Sequence, residues 1–286
     1  MNVRRLLRQS GIRPDKALGQ NFLTDCTILQ RIANAAQLTA DDIVLEIGAG
    51  TGALTEQLAQ DAGHVLAVEL DQRLLPILQG ALAGFDNISL IQGDILKLNP
   101  AVLIEDIASK LDTSDPHYKV AANLPYYITS AVLRHLLEAD RTAELMIITV
   151  QDEVARRLVA RPGDMSVLAV SVQFYADPEI LFPIKPGSFY PSPDVDSAVV
   201  RLDVHPRPPL PKDETELFFQ VVRAGFSQRR KQLHNSLSAG LGERISRHDA
   251  SARLEGAGID PRRRAQTLSV EEWIRLTHAL GDLLSA

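Results

Sequence analysis

The sequence predicts an α/β protein: a doubly wound, mostly parallel sheet followed by a small all-helical C-terminal domain. Three observations carry this. Short apolar runs rich in Val, Ile and Leu recur at residues 43–47, 64–70, 88–92, 118–122 and 145–150. They alternate with stretches of helical period, the pattern of parallel strands joined by crossover helices. A segment at 205–212, with Pro206, Pro208, Pro209 and Pro211, then reads as a stiff linker, and everything beyond it is helical. The domains expected are 1–204, with a basic extension over 1–24, and 213–286.

The elements follow in order. An amphipathic helix suits the first ten residues. Asp25 can cap a helix running to about Gln37, with Ile28, Leu29, Ile32 and Ala36 on one face. The run 43–47 is the first strand, Gly48-Ala49-Gly50-Thr51-Gly52 is the turn after it, and 53–60 is a helix. The second strand ends near Glu69 and leads through Asp71 into a helix at 73–82. The third ends at Gly93-Asp94. A long connection, 98–117, holds a helix, and the fourth strand ends just before Asn123. A helix at 128–138, a fifth strand and a helix at 153–160 come next. The apolar run 167–175 fits a strand or a helix. Late strands at 180–184 and 198–204 flank Phe189-Tyr190-Pro191-Ser192-Pro193, and a final helix covers 271–284.

Composition narrows the class. At 286 residues the chain can bury a large core. Its single cysteine, Cys26, excludes an internal disulfide and a cysteine-based zinc cluster, and suits a reducing compartment. The seven His are scattered without ligand spacing, so no metal is expected. No apolar run approaches the roughly 20 residues that span a bilayer, and the N-terminus lacks the apolar core of a signal peptide. A cytoplasmic monomer without a membrane partner is the expectation. The net charge of −6 argues against a polyanionic partner until it is partitioned. Residues 223–264 hold nine Arg and one Lys against two Glu and two Asp, a net +6, leaving −12 for the remainder. A basic segment on an acidic body suits a protein that holds nucleic acid at one face.

Two stretches carry chemistry. Glycines 48, 50 and 52 let backbone approach a ligand closely where the first strand ends. Glu69, 21 residues after Gly48, is placed to accept from both hydroxyls of a ribose, and Asp94 from an adenine amino group. The Gly-x-Gly-x-Gly spacing, with Glu46 before it, differs from the dinucleotide Gly-x-Gly-x-x-Gly. The second stretch is Asn123-Leu124-Pro125-Tyr126. The Asn123 side-chain oxygen and the Leu124 carbonyl can both accept from one exocyclic amino group. Pro125 has no N–H to compete, and Tyr126 offers a flat face for stacking a base.

These residues, with Leu18-Gly19-Gln20-Asn21-Phe22-Leu23, Val150-Gln151-x-Glu153-Val154, Phe189-x-Pro191-x-Pro193-x-Val195-Asp196-Ser197 and Phe226-Ser227-Gln228-Arg229-Arg230-Lys231, resemble the ribosomal RNA adenine N6-dimethyltransferases, most closely those acting on small-subunit 16S rRNA. The resemblance spans about residues 16–275. It implies a Rossmann-like methyltransferase sheet and S-adenosylmethionine as donor, surrounded by Asn21, Leu23, Gly48, Gly50, Glu69, Asp94 and Asn123. The implied target is two adjacent adenosines near the 3′ end of 16S rRNA in an immature small subunit. Tyr126 and Phe189 are expected to sandwich the extracted base, and Arg229, Arg230 and Lys231, in a helical segment, to touch phosphates. Asp194 and His234 stand where the family tends to carry basic residues, which removes charge from the implied RNA path. Two other readings accompany this one: a large-subunit rRNA methyltransferase of the macrolide-resistance type, and a ribosome-assembly factor that chiefly binds RNA. An NAD-binding oxidoreductase is more distant.

Overall fold

A computed structural model of the chain describes residues 3–113 and 116–284. It contains two compact units, one formed by Met1–Ala155 with Asp177–His205, the other by Arg156–Ala176 with Pro206–Ala286.

The first unit opens with α1 (Val3–Gln9), the short strand β1 (Phe22–Leu23) and α2 (Cys26–Ala35). Asp25 caps α2 through the Thr27 and Ile28 amides, as its position before an apolar face requires. Then come β2 (Ile43–Ile47), α3 (Ala53–Leu58), β3 (His64–Glu69), α4 (Leu75–Ala81), β4 (Ile88–Gln92), α5 (Pro100–Lys110), β5 (Tyr118–Asn123), α6 (Thr129–Leu137), β6 (Leu145–Gln151) and α7 (Asp152–Leu158). After α8 (Val167–Gln173), which belongs to the second unit, the chain returns in β7 (Ala176–Ile184), β8 (Phe189–Tyr190) and β9 (Ser197–Val204).

Seven strands form one sheet in the order β4-β3-β2-β5-β6-β9-β7. The five from β4 to β6 run parallel, and β9 lies antiparallel on β6, with Gln151 opposite Ser197. Every residue of β2 is buried, as expected of a strand covered on both faces. Apolar side chains of α2 and α3 (Leu29, Ile32, Leu54, Leu58) share a core with Val44, Val65, Ala121 and Ile147 of the sheet. A separate two-stranded pairing of β1 with β8 sets Phe22 opposite Tyr190 and Leu23 opposite Phe189. Beside it, Val3 and Leu7 of α1 pack with Phe22, Leu74 and Ile77.

The second unit is helical: α8, α9 (Lys212–Phe226), α10 (Leu233–Leu241), α11 (Arg247–Gly256) and α12 (Val270–Leu284). Ser166 caps α8 through the Ala169 amide, which settles the ambiguous apolar run as helix. Phe174, just past α8, lies 4.4 Å ring to ring from Phe218 of α9. Residues 156–176 therefore group with the helices, where the sequence reading placed all of 1–204 in the first domain. Their short apolar face matches the aromatic one of α9, a pairing invisible in either segment alone.

Candidate active site

β2 has β3 on one side and β5 on the other, so the chain leaves it in both directions and a crevice opens at the strand ends. The loop after β2 curls over β3, with the Gly48 and Ala49 amides both donating to the Val68 carbonyl, at 2.9 and 3.2 Å. Gly50 has φ +61°, and a Cβ there would lie 3.0 Å from the Phe22 ring. The left-handed φ favours glycine, and any side chain would also press on that ring.

Glu69 sits at the tip of β3, 6% exposed. Its Oε2 accepts from the Gly50 amide and its Oε1 from the Asp71 amide, each at 2.7 Å. Burial raises its pKa, these amides oppose the rise, and the Asp71 charge adds to it. Each oxygen keeps a lone pair for a further donor. Asp94 accepts from the Leu96 amide at 3.1 Å. Beneath the loop, Glu46 is 1% exposed, and its Oε2 has no hydrogen-bond partner among the described residues. Burial pushes Glu46 up to about 8; the Thr55 hydroxyl opposes this and the Glu69 charge reinforces it.

At the end of β5 the Asn123 Nδ2 donates to the Asn21 carbonyl at 3.0 Å. That bond commits the amide nitrogen and leaves Oδ1 as the acceptor. The Leu124 carbonyl also takes no hydrogen bond among the described residues. The Tyr126 hydroxyl pairs with Ser197 Oγ at 2.7 Å. Burial raises the Tyr126 pKa and the Ser197 hydrogen bond opposes it.

Asn21, Gly48, Gly50, Glu69, Asp94, Asn123, Leu124 and Tyr126 line one cavity, so most of the expected site residues meet there. Two do not. Leu23 is 5% exposed and packs in the core, so any contact with a ligand falls to its backbone. Phe189 is likewise 5% exposed and lines no part of the cavity. It pairs with Leu23, and its ring packs in the hydrophobic core with that residue. Arg229, Arg230 and Lys231 are exposed in the second unit, in the turn between α9 and α10 and not in a helix. His234 is buried, with Nδ1 2.8 Å from the Pro261 carbonyl, so it braces that unit and lies on no surface path.

Sequence reasoning missed three residues. Ser197 is one. Gln20 and Asp71 are the others: Gln20 Nε2 donates to Asp71 Oδ2 at 2.8 Å, tying the segment before β1 to the end of β3. The Arg73 guanidinium holds the Asp71 carboxyl down at about 2, against the effect of burial, with Gln20 assisting. Nothing local marks these pairs, which join residues 71 and 51 positions apart. Among the described residues, no group of three or more His, Cys, Asp or Glu could hold a metal ion, and no helix is long and apolar enough to cross a membrane.

The fold and site define a Rossmann-like methyltransferase, with a glycine loop and an acid at the next strand end beside the Asn123 side-chain oxygen and the Leu124 carbonyl. A family model described as ribosomal RNA adenine dimethylase matches residues 13–281, and the chain belongs to that family. The small-subunit rRNA methyltransferase A of Dehalococcoides mccartyi is 48% identical over 93% of this chain and 88% of its own length. The protein of the same name from Moorella thermoacetica is 45% identical over 96% and 95%. Among solved structures, a dimethyladenosine transferase from Plasmodium falciparum superposes with a TM-score of 0.77 at 25% identity, covering 92% of this chain and 98% of that one. The 23S rRNA methyltransferase ErmE gives 0.71 at 31%, covering 91% and 100%.

The family implies S-adenosylmethionine as methyl donor. The site suits it: Gly50 leaves backbone open to a ligand in a left-handed turn, Glu69 has acceptor capacity for a diol, and Asp94 can accept from an amino group.

Proposed function

We propose that this protein methylates N6 of two adjacent adenosines near the 3′ end of 16S rRNA, within an immature small ribosomal subunit. The observation that carries the reading is the Asn123–Asn21 hydrogen bond, which leaves the Asn123 oxygen as the free acceptor beside the unpaired Leu124 carbonyl. Glu69, Asp94 and the loop from Gly48 to Gly50 would hold the donor. The donor supplies an electrophilic methyl group.

An adenine amino nitrogen is a poor nucleophile because its lone pair is delocalised into the ring. Two acceptors holding its hydrogens favour a pyramidal nitrogen, and holding the reacting atoms about 3 Å apart supplies much of the rate. Positive charge developing on the nitrogen strengthens both hydrogen bonds, so they act most in the transition state. The nitrogen–methyl bond would form as the donor's sulfur–methyl bond breaks, leaving a neutral thioether, and the methylated nitrogen, acidic once it carries positive charge, would pass its proton to solvent, so no strong base is required. Tyr126 stacks on the extracted ring, as enzymes that act on bases commonly arrange.

The large-subunit reading has the 31% identity of the 23S enzyme in its favour. The relatives at 42–48%, all named for the small subunit, favour the first reading. The test is transfer of radiolabelled methyl groups to undermethylated small subunits, large-subunit rRNA and naked small-subunit rRNA, with the modified positions mapped. Dimethylation of two adjacent adenosines in the small subunit is expected. Transfer only to large-subunit rRNA overturns the proposal.

A further inference from the structure

The N-terminal segment holds charge that the described site does not use. Arg4, Arg5, Arg8, Arg13 and Lys16 are all exposed, against one acid, Asp15, in the first 24 residues. α1 breaks two local rules. Its first turn carries Arg4 and Arg5 and no acid, at the positive end of the helix dipole. Arg4 and Arg8 are like charges four positions apart on one face, which also destabilises a helix. A short helix that accumulates such penalties fits a surface that meets negative charge.

Its placement says where. The buried face of α1, Val3 and Leu7, packs on Phe22 and Leu74, both of which line the cavity. At the other end of the segment, a Cβ at Gly19 would lie 3.2 Å from Pro125 and Tyr127, beside the amino-group acceptors. Between these ends the segment is fastened: Gln20 donates to Asp71 and accepts from the Asp15 amide at 2.8 Å, and Arg73 reaches Asp15 at 3.8 Å. The segment that carries the cations thus backs onto residues of the cavity wall, with Arg4 lying 5.6 Å over the Tyr190 ring. A pre-ordered surface gives up less entropy on binding than a loose tail.

We infer that the segment from Arg4 to Lys16 is a second phosphate-binding surface, which holds the RNA backbone beside the adenosine entering the cavity. The inference rests on the proposed RNA substrate. An anionic membrane is the competing partner for a basic amphipathic helix. It is disfavoured because the apolar face of α1 is already buried on Phe22, Leu74 and Ile77.

The test is the full-length variant Arg4→Gln/Arg8→Gln/Arg13→Gln, its all-Lys counterpart, and the wild type, each binding undermethylated small subunits over a range of salt. Each phosphate that is no longer neutralised should lower the log–log salt slope by roughly 0.7–0.9, so the Gln variant should bind weakly with a shallower slope. The Lys variant should approach wild type. Donor affinity should be unchanged, and the thermal midpoint should not fall, since the Gln substitutions relieve the charge penalties in α1. An unchanged slope and affinity in the Gln variant overturns the inference, as does binding of anionic vesicles that the Gln substitutions abolish while subunit binding stays intact. Failure of the wild type to methylate rRNA would instead overturn the functional reading beneath it.

Discussion

Removing either side of the Tyr126–Ser197 hydrogen bond should give unequal costs. The two oxygens are 2.7 Å apart, and Ser197 is fully enclosed at 0% exposure, while Tyr126 keeps part of its surface in solvent. In Tyr126→Phe the Ser197 hydroxyl stays buried and loses its partner, a cost toward the upper end of about 1–3 kcal/mol. In Ser197→Ala the phenol can turn to water, and the cost falls to about 1 kcal/mol. The double variant removes both polar atoms, so its loss should fall short of the sum by about 1 kcal/mol. Urea unfolding of the four proteins measures this. The aromatic ring survives in Tyr126→Phe with its tilt no longer fixed, so single-turnover methylation should fall several-fold. Tyr126→Ala should fall much further, since a stacked base contributes roughly 1–3 kcal/mol. A Ser197→Ala variant less stable than Tyr126→Phe, or strict additivity, would refute the reasoning.

Other perturbations have expected outcomes. Asn123→Ala should lower single-turnover methylation on the order of 10²-fold while donor affinity changes little; near-normal turnover would rule out the acceptor pair. Glu69→Ala should weaken donor binding by roughly 1.5–3 kcal/mol in a calorimetric titration, and unchanged affinity in a folded variant would exclude its role. Glu46 binds its proton more tightly folded than unfolded, so its contribution to stability is fully present below about 4.5 and is lost as pH rises toward 8. Thermal midpoints should therefore shift in favour of Glu46→Gln relative to wild type between pH 5 and 8; a pH-independent gap would mean Glu46 is already ionised in the fold. Neutralising Arg229, Arg230 and Lys231 should lower the salt slope of subunit binding by roughly 0.7–0.9 for each phosphate they neutralise, and an unchanged slope would make them a solvated turn.

The parallel sheet was legible because its strands are continuous apolar runs bounded by Gly and Asp: 43–47 and 88–92 coincide with β2 and β4. The cavity was legible for a related reason, since Gly48, Glu69, Asp94 and Asn123 each lie at or just beyond a strand end. What the sequence could not show depends on distant partners. The strand β8 has two residues, too few for an alternation that would tell which ring faces inward, so Phe189 reads as a platform until Leu23 is seen opposite it. Ser197 and Asp71 take their roles from Tyr126 and Gln20, which no local pattern couples to them. The run 167–175 was ambiguous because so short an apolar-rich stretch fits either period, and the Ser166 cap decides it.

The excursion of residues 156–176 into the helical unit bears on how this protein can be taken apart. A fragment ending at the proline-rich segment would keep Phe174 and lose Phe218 and Phe219, whose rings lie 4.4 and 5.3 Å from it. An aromatic surface enclosed in the intact chain would then face water, and such a fragment should self-associate even with its sheet intact. Separating the units cleanly takes two breaks, one on each side of 156–176, besides removal of 206–286. A single recombination event within the linker therefore cannot exchange the helical unit for another, and any substitute must supply a partner for α8 as well.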